Sequence, residues 1–141
     1  MSESPERVVV HVDGGARGNP GPAGVGAVVT DEHGHELARA NDFIGEATNN
    51  EAEYRALLLG LALASQLGAR EVEVVNDSQL VARQITGEYR VKKAELKPLH
   101  SQAMAQLRGF ERWQVRSVPR EQNEVADVLV NEAIDAGAGT A

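Results

Sequence analysis

The sequence predicts a mixed α/β domain, a five-stranded sheet flanked by helices, and three observations carry that prediction. Two apolar runs and a third extended segment, joined by short loops, fill residues 7–44 before any helical pattern begins. A long helix-forming stretch follows at 48–68, and strand and helix patterns then alternate to residue 137. The resulting order, β-β-β-α-β-α-α-β-α, reads as an antiparallel meander of three strands followed by two parallel strands in βαβ units. Sheets of this kind place their sites at the carboxyl ends of the parallel strands.

RVVVHVD (7–13) reads as a strand buried on both faces, hence central. It ends on Asp13, and GGARGNPGPAG (14–24) follows as a loop with five glycines and two prolines. AGVGAVVT (23–30) and ELARANDFI (36–44) flank DEHGH, a hairpin loop containing Gly34. TNNEAEYRALLLGLALASQLG (48–68) is the long helix. Thr48-x-x-Glu51 and Asn50-x-x-Glu53 both fit a capping box there, and Gly68 suits the stop. EVEVVND (71–77) alternates as a strand, and SQLVARQIT (78–86) is a short helix ended by Gly87. Residues 95–108 are helical with Pro98 in the first turn. WQVRSV (113–118) is the fifth strand, and NEVADVLVNEAIDAG (123–137) is a closing helix capped by Asn123. The tail AGAGTA is expected to fray.

The 141 residues suffice for one domain with a single core, read as spanning 1–141 with about 7–137 ordered between short polar tails. Hydrophobic residues make up 42% and charged residues 25%, a globular profile. No apolar stretch has the length of a membrane span, and MSESPER is too polar for a secretory signal. Cysteine is absent, so disulfide and thiolate chemistry are excluded, in keeping with a cytoplasmic location. The net charge of −7 weighs against a nucleic-acid partner, because phosphate binding usually shows as basic excess.

Four carboxylates nevertheless point to phosphoryl chemistry. Asp13 closes the first strand and Asp77 the fourth, so pairing of those strands sets them side by side. Glu53 heads the inward stripe Leu57, Gly60, Leu61, Ala64 on the long helix, and Asp127 lies early on the last helix. Each also has a plain structural reading. Glu53 and Asp127 suit helix N-termini for dipole reasons, and Asp77 could cap the helix beginning at Ser78. Asp13 is harder to explain so, since it faces a loop stripped of side-chain bulk whose N–H groups can meet phosphate or sugar oxygens. That loop lacks GxxxxGK[ST] and GxGxxG, so neither a P-loop nor a dinucleotide site is indicated. Clustered carboxylates repel unless a cation joins them, and all-oxygen ligation selects Mg²⁺ or Mn²⁺ over Zn²⁺. Two such ions can activate a water and stabilise a leaving oxygen in phosphodiester hydrolysis.

DGGARGNPGPAGVGAV (13–28), TNNEAEYRALLLGL (48–61), NDSQLVARQITGEYRVK (76–92) and VPREQNEVADVLVNEA (118–133) together resemble ribonuclease H of type 1, in family order and spacing across nearly the whole chain. The resemblance implies the ribonuclease H-like fold. It also implies an endonuclease that cuts the RNA strand of RNA–DNA hybrids to 5′-phosphate and 3′-hydroxyl ends with two Mg²⁺ ions. Its metal-binding acids fall on Asp13, Glu53, Asp77 and Asp127. Its substrate contacts fall on Gly14, Gly15, Asn19, Thr48, Asn49, Asn50 and Gln79, with Thr48 and Asn19 resembling a pair that grips a DNA-strand phosphate. Asn and Gln suit sequence-independent reading of the minor groove and the 2′-OH.

Three departures from the family pattern stand out. The basic protrusion of some bacterial members is reduced to GEYRVKKA (87–94), yet residues 83–97 hold five basic residues against two acidic, Lys92 among them as a substrate contact. A separate N-terminal hybrid-binding module is not expected from the residues before the first strand. The loop histidine of those members is replaced by VPREQN, where Arg120 is the residue with the reach to hold a phosphate, although arginine cannot act as a base. No obligate protein partner is implied, and a monomer is expected. The alternatives are a non-catalytic nucleic-acid-binding module of this fold and a relative preferring RNA–DNA junctions or double-stranded RNA. His33 and His35 read as exposed loop residues, His11 as packed or hydrogen-bonded, and Trp113 as core.

Overall fold

The computed structural model describes residues 5–138. Its elements are β1 (Arg7–Ala16), β2 (Gly21–Asp31), β3 (Glu36–Ala47), α1 (Asn49–Gln66), β4 (Glu71–Asn76), α2 (Gln79–Ile85), α3 (Lys97–Leu107), β5 (Arg112–Ser117) and α4 (Glu124–Ala138), with a 3₁₀ turn at Arg120–Gln122 before α4. The sheet order is β3-β2-β1-β4-β5. β1 pairs antiparallel with β2 and parallel with β4, so the strand expected to be central is central. The meander and the two parallel strands are as the element order implies.

The two faces of β1 are buried differently. Val8, Val10 and Val12 enter the main core with Leu57 and Leu61 of α1, while Val9 and His11 are half-buried. Gly60 takes α1 onto the strand, since a Cβ there would meet Val10 and Val12 at 2.6 and 2.5 Å. On the other face α4 packs on β2 through a second bare position. A Cβ on Gly26 would lie 2.8 Å from the Ala126 carbonyl oxygen and 2.8 Å from Leu129 Cβ. Both helices therefore approach the sheet at backbone distance, and their N-terminal turns reach the end of β1.

Several sequence expectations shift at element ends. The glycine-rich segment is not all loop, because β1 runs on to Ala16 and β2 begins at Gly21, with Gly14 opposite Val25 and Gly15 opposite Gly24. Glycine carries no side chain to show strand alternation, which is why the pairing leaves no pattern. β3 likewise runs on to Ala47, and Trp113 is half-buried against the core rather than within it. The fraying expected from residue 136 is not found up to Ala138, where α4 still holds, because Gly137 packs directly on the Phe43 ring. The remainder of that tail lies outside the described residues, as does most of the N-terminal polar tail. The Thr48–Glu51 capping box closes α1 and the Asn50–Glu53 alternative is not used. Asn123 precedes α4 and its carbonyl accepts from the Asp127 N–H, but its side chain turns inward and donates from Nδ2 to the Val12 carbonyl at 2.8 Å. His33 and His35 sit exposed in the hairpin, their N–H groups donating to Asp31 Oδ1.

α1, α2 and α3 are tied together by one buried polar contact. Tyr54 Oη donates to Gln84 Oε1 at 2.6 Å, and the His100 ring meets Tyr54 edge-on. Replacing Tyr54 by Phe removes the donor and leaves a buried amide oxygen unpaired. The expected loss is about 1–3 kcal/mol, read as a lower urea midpoint with an unchanged m-value.

Candidate active site

The carboxyl ends of β1 and β4 are adjacent, and each carries an acid. Asp13 is 7% exposed. It shares strand parity with His11, hence the α4 side of the sheet, and feels the charge of Asp127 there. Gly14 follows with the opposite parity, and a Cβ on it would overlap the Ala52 carbonyl of α1. That contact brings the next α1 residue, Glu53, over the strand end. Glycine at 14 is thus required first for helix approach, while a Cβ on Gly15 would make only ordinary contacts, with Asn49 Oδ1 at 3.9 Å and Val130 at 4.0 Å.

Asp77 follows β4 directly. Ser78, not Asp77, caps α2, its hydroxyl accepting from the Val81 N–H at 3.2 Å. Asn76, buried to 4% exposure, accepts from the Ser78 N–H at 2.8 Å and shapes the same turn. The Asp77 carboxylate is therefore spared a capping duty. Carboxylate oxygens of Asp13, Glu53 and Asp77 lie within 4.8 Å of one another. Asp127 joins from α4 through Asp13 and pairs with the Arg120 guanidinium at 3.3 Å. All five residues line one cleft of about 540 Å³, together with Gly14, Gly15, Asn49, Arg17 and Asn131.

Burial and mutual repulsion dominate the electrostatics. Burial pushes Asp13 up to about 8, with the charges of Asp77 and Glu53 adding to it. Glu53 is pushed up to about 7 by burial, against a hydrogen bond from Ser78 and the nearby Arg120 charge. Asp77 is raised as well, again by burial first, with Arg120 opposing. Three hard oxygen donors around one point, each held above its usual range for want of positive charge, fit a divalent cation bound by oxygen.

The other predicted residues fall into two groups. Asn19 and Asn49 lie at the cleft edge and lock to each other: the Asn49 N–H donates to Asn19 Oδ1 at 3.0 Å, and Asn49 Oδ1 accepts from the Ala16 N–H at 2.9 Å. Thr48 adjoins them, its hydroxyl engaged with Glu51 in the capping box. Asn50 and Lys92 instead border a neighbouring groove with Leu80, Tyr89, Arg90 and Lys93. Gln79 is exposed at the first position of α2, one residue before Leu80. Two polar cleft residues escaped sequence reasoning, Arg17 and Asn131. The spacing of four from Asp127 to Asn131 puts them on one helix face and is a signal that could have found the second. Arg17 carries no such signal.

Fold and cleft together define a class: an α/β domain whose adjacent β1 and β4 strands gather acids suited to a divalent cation in one cleft. The sequence model of the Reverse transcriptase-like family matches residues 11–133. The ribonuclease H of Methylococcus capsulatus is 30% identical, over 96% of this chain and 94% of its own length. The chain belongs to the ribonuclease H family. Ribonuclease HI of Halobacterium salinarum is 45% identical over 92% of this chain, and the bifunctional protein Rv2228c of Mycobacterium tuberculosis is 50% identical over 96%. The chain spans 65% and 37% of the lengths of those two relatives. Among solved structures, the N-terminal RNase H domain of Rv2228c superposes with a TM-score of 0.92 at 48% identity, covering 95% of this chain and 97% of that one. LC11-RNase H1 in complex with an RNA/DNA hybrid superposes at 0.89 with 43% identity, covering 93% and 99%.

The acid cluster should make the cation-free protein sensitive to pH. Carboxyl groups raised in the fold contribute stability that is full below their unfolded values near 4 and is lost as pH rises through the folded values. For Asp13 and Glu53 that window runs up to about 8 and about 7. In EDTA, Asp13→Asn should therefore melt above the parent, by roughly 2–4 °C for each kcal/mol of repulsion relieved. The margin should widen from pH 5 to pH 8 in thermal melts. A margin absent or constant across that range would contradict the charge argument.

Proposed function

We propose that this chain is a monomeric, cytoplasmic endoribonuclease that hydrolyses the RNA strand of RNA–DNA hybrids to 5′-phosphate and 3′-hydroxyl ends. Its catalytic unit spans about residues 7–137, and Mg²⁺ is its cation, two ions with substrate, with Mn²⁺ able to substitute. The observation that carries the reading is the meeting of Asp13, Glu53 and Asp77 within 4.8 Å in an open cleft that Asp127 also lines. The hybrid-bound relative at 43% identity supports the substrate class. Bound cations would supply an activated water and stabilise the departing 3′ oxygen.

The chain's own residues do the rest. Asp13, Glu53, Asp77 and Asp127 hold the cations. The Asn19–Asn49 lock fixes the glycine-rich turn against α1 and leaves Asn49 Nδ2 to donate to the minor groove. Gly14 and Gly15 keep that wall of the cleft low enough for a duplex backbone. Asn50 and Gln79 read the groove beside it, and Thr48 with Asn19 steadies a phosphate of the DNA strand. Lys92, bordering the groove with Arg90 and Lys93, supplies positive charge for the duplex backbone. Arg120 adds a fixed positive charge beside the acids, suited to holding the scissile or departing phosphate.

A labelled hybrid, an RNA duplex and a DNA duplex, each incubated with Mg²⁺ and with excess EDTA, test the reading directly. Cleavage of the hybrid's RNA strand in Mg²⁺ alone is expected. Binding without cleavage would make this a non-catalytic module, and equal cutting of DNA duplex would remove the role given to the 2′-OH.

Arg120→Ala should lower kcat by roughly 10- to 100-fold, equivalent to about 1.4–2.7 kcal/mol. Arg120→Lys should recover part of the loss, since charge rather than proton transfer is what the position supplies. Parent-like turnover in Arg120→Ala would leave this turn without a part in the chemistry.

A further inference from the structure

Arg17 is the second cation on the cleft wall, and no role has been assigned to it so far. It projects from the turn between β1 and β2, whose shape is tight: the Arg17 N–H donates to the Pro22 carbonyl at 2.9 Å, and a Cβ on Gly21 would overlap the Arg17 carbonyl. Its guanidinium reaches across to α4, donating from Nη1 to Asp135 Oδ1 at 2.6 Å and from Nη2 to Asn131 Oδ1 at 3.3 Å. Asn131 in turn donates from Nδ2 to the Asp127 carbonyl at 3.1 Å. Asp127, Asn131 and Asp135 are spaced by four, so they form one stripe along α4 spanning about 12 Å. Arg120 pairs with Asp127 at one end of that stripe and Arg17 with Asn131 and Asp135 toward the other, and both arginines line the cleft that holds the acids.

A strand crossing the cleft places its scissile phosphate at the acids and its neighbouring phosphates on either side. The acids and their cations offer those neighbours no net positive charge, whereas the two arginines do. Arg17 is held only loosely at present. The ion pair with Asp135 is exposed, at 47% and 68% for the two side chains, and exposed pairs contribute little. A phosphate offers the same fork two well-placed oxygens and a stronger charge-assisted contact.

We propose that Arg17 binds a backbone phosphate flanking the scissile one on the strand being cut, and that Asp135 holds the guanidinium in place and competes with that phosphate. This rests on the hybrid-cleaving reading above. Two variants with opposite signs follow. Arg17→Ala should raise KM for the hybrid by about 3- to 10-fold with kcat little changed, an effect in keeping with one partly exposed charged contact. It should also reduce the log–log salt slope of hybrid binding by about one. Asp135→Asn should lower KM, because it weakens the competitor.

Removing any acid near the cleft favours a polyanion, so the double variant decides between causes. In the Arg17→Ala background, Asp135→Asn should have lost its benefit. If Arg17 and Asp135 form only a structural latch, both single variants raise KM alike, and the proposal falls. An unchanged KM and salt slope in Arg17→Ala overturns it as well, and hybrid cleavage by the parent protein in the same assay would leave the functional reading standing. Failure of the parent to cleave the hybrid would instead overturn that reading, and this inference with it.

Discussion

Asp13 is buried on the central strand just past the end of its pairing with β4, with the carboxylates of Glu53 and Asp77 within 4.8 Å, an arrangement that opposes folding unless positive charge arrives. Much of the surrounding structure serves to hold these groups together against their repulsion. The bare Gly14 lets the first turn of α1 close on the strand end. The parallel pairing of β1 with β4 delivers Asp77 to the same edge. Asn123 links the Val12 carbonyl, one residue before Asp13, to the start of the helix that carries Asp127. The scaffold is apolar and closely packed, so it can carry a local electrostatic penalty at one edge. Stability spent there is the usual counterpart of a site prepared for a charged ligand.

The net charge of −7 looks unfavourable for a protein proposed to grip a polyanion, yet charge is distributed rather than pooled. Arg90, Lys92 and Lys93 border the groove next to Asn50. Glu36, Glu121 and Glu124 instead border a separate hollow lined by His11 and Asn123. Other charges are neutralised within the sheet, where Glu73 accepts from both Arg7 and Arg116. In the cleft itself the acids are in excess, and a bound divalent cation would offset their mutual repulsion. The total charge therefore says little about the face a duplex would meet.

How much of this was legible beforehand depended on whether a residue's environment is set by its own neighbours in sequence. The central position of β1 was readable because its valines fill consecutive positions, and Leu57, Gly60 and Leu61 announced the inward face on which Glu53 lies. Asp77 was ambiguous. Asp and Ser are both good caps, and only the backbone settles that Ser78 takes the Val81 N–H. The strand character of Gly14 and Gly15 was hidden, since glycine leaves no alternation to read. Arg17 was invisible for a different reason, and Asn131 was marked only by its spacing of four from Asp127. Their meeting depends on the placement of α4 over β2, which is set by the clearance at Gly24 and Gly26 and not by any local pattern. Helix and strand identities came from periodicity, whereas the cleft's second wall came from tertiary contact alone.

The turn before α4 shows how a site can do without an imidazole. Among the described residues, the charged side chains lining the cleft are Asp13, Glu53, Asp77, Asp127, Arg17 and Arg120, and no histidine joins them. His11 borders the other hollow, and His100 sits against the Gln84 carbonyl. The groups brought toward neutrality are thus Asp13 and Glu53, raised first by burial. Arg120 cannot take a proton, but its charge acts on that equilibrium, drawing Glu53 and Asp77 back toward ionisation against the burial that raises them. Its pairing with Asp127 holds the guanidinium where it exerts that pull. A fixed cation at this position therefore favours the ionised carboxylates that a divalent ion requires, and it does so at every working pH. A histidine would provide the same charge only below its own pKa.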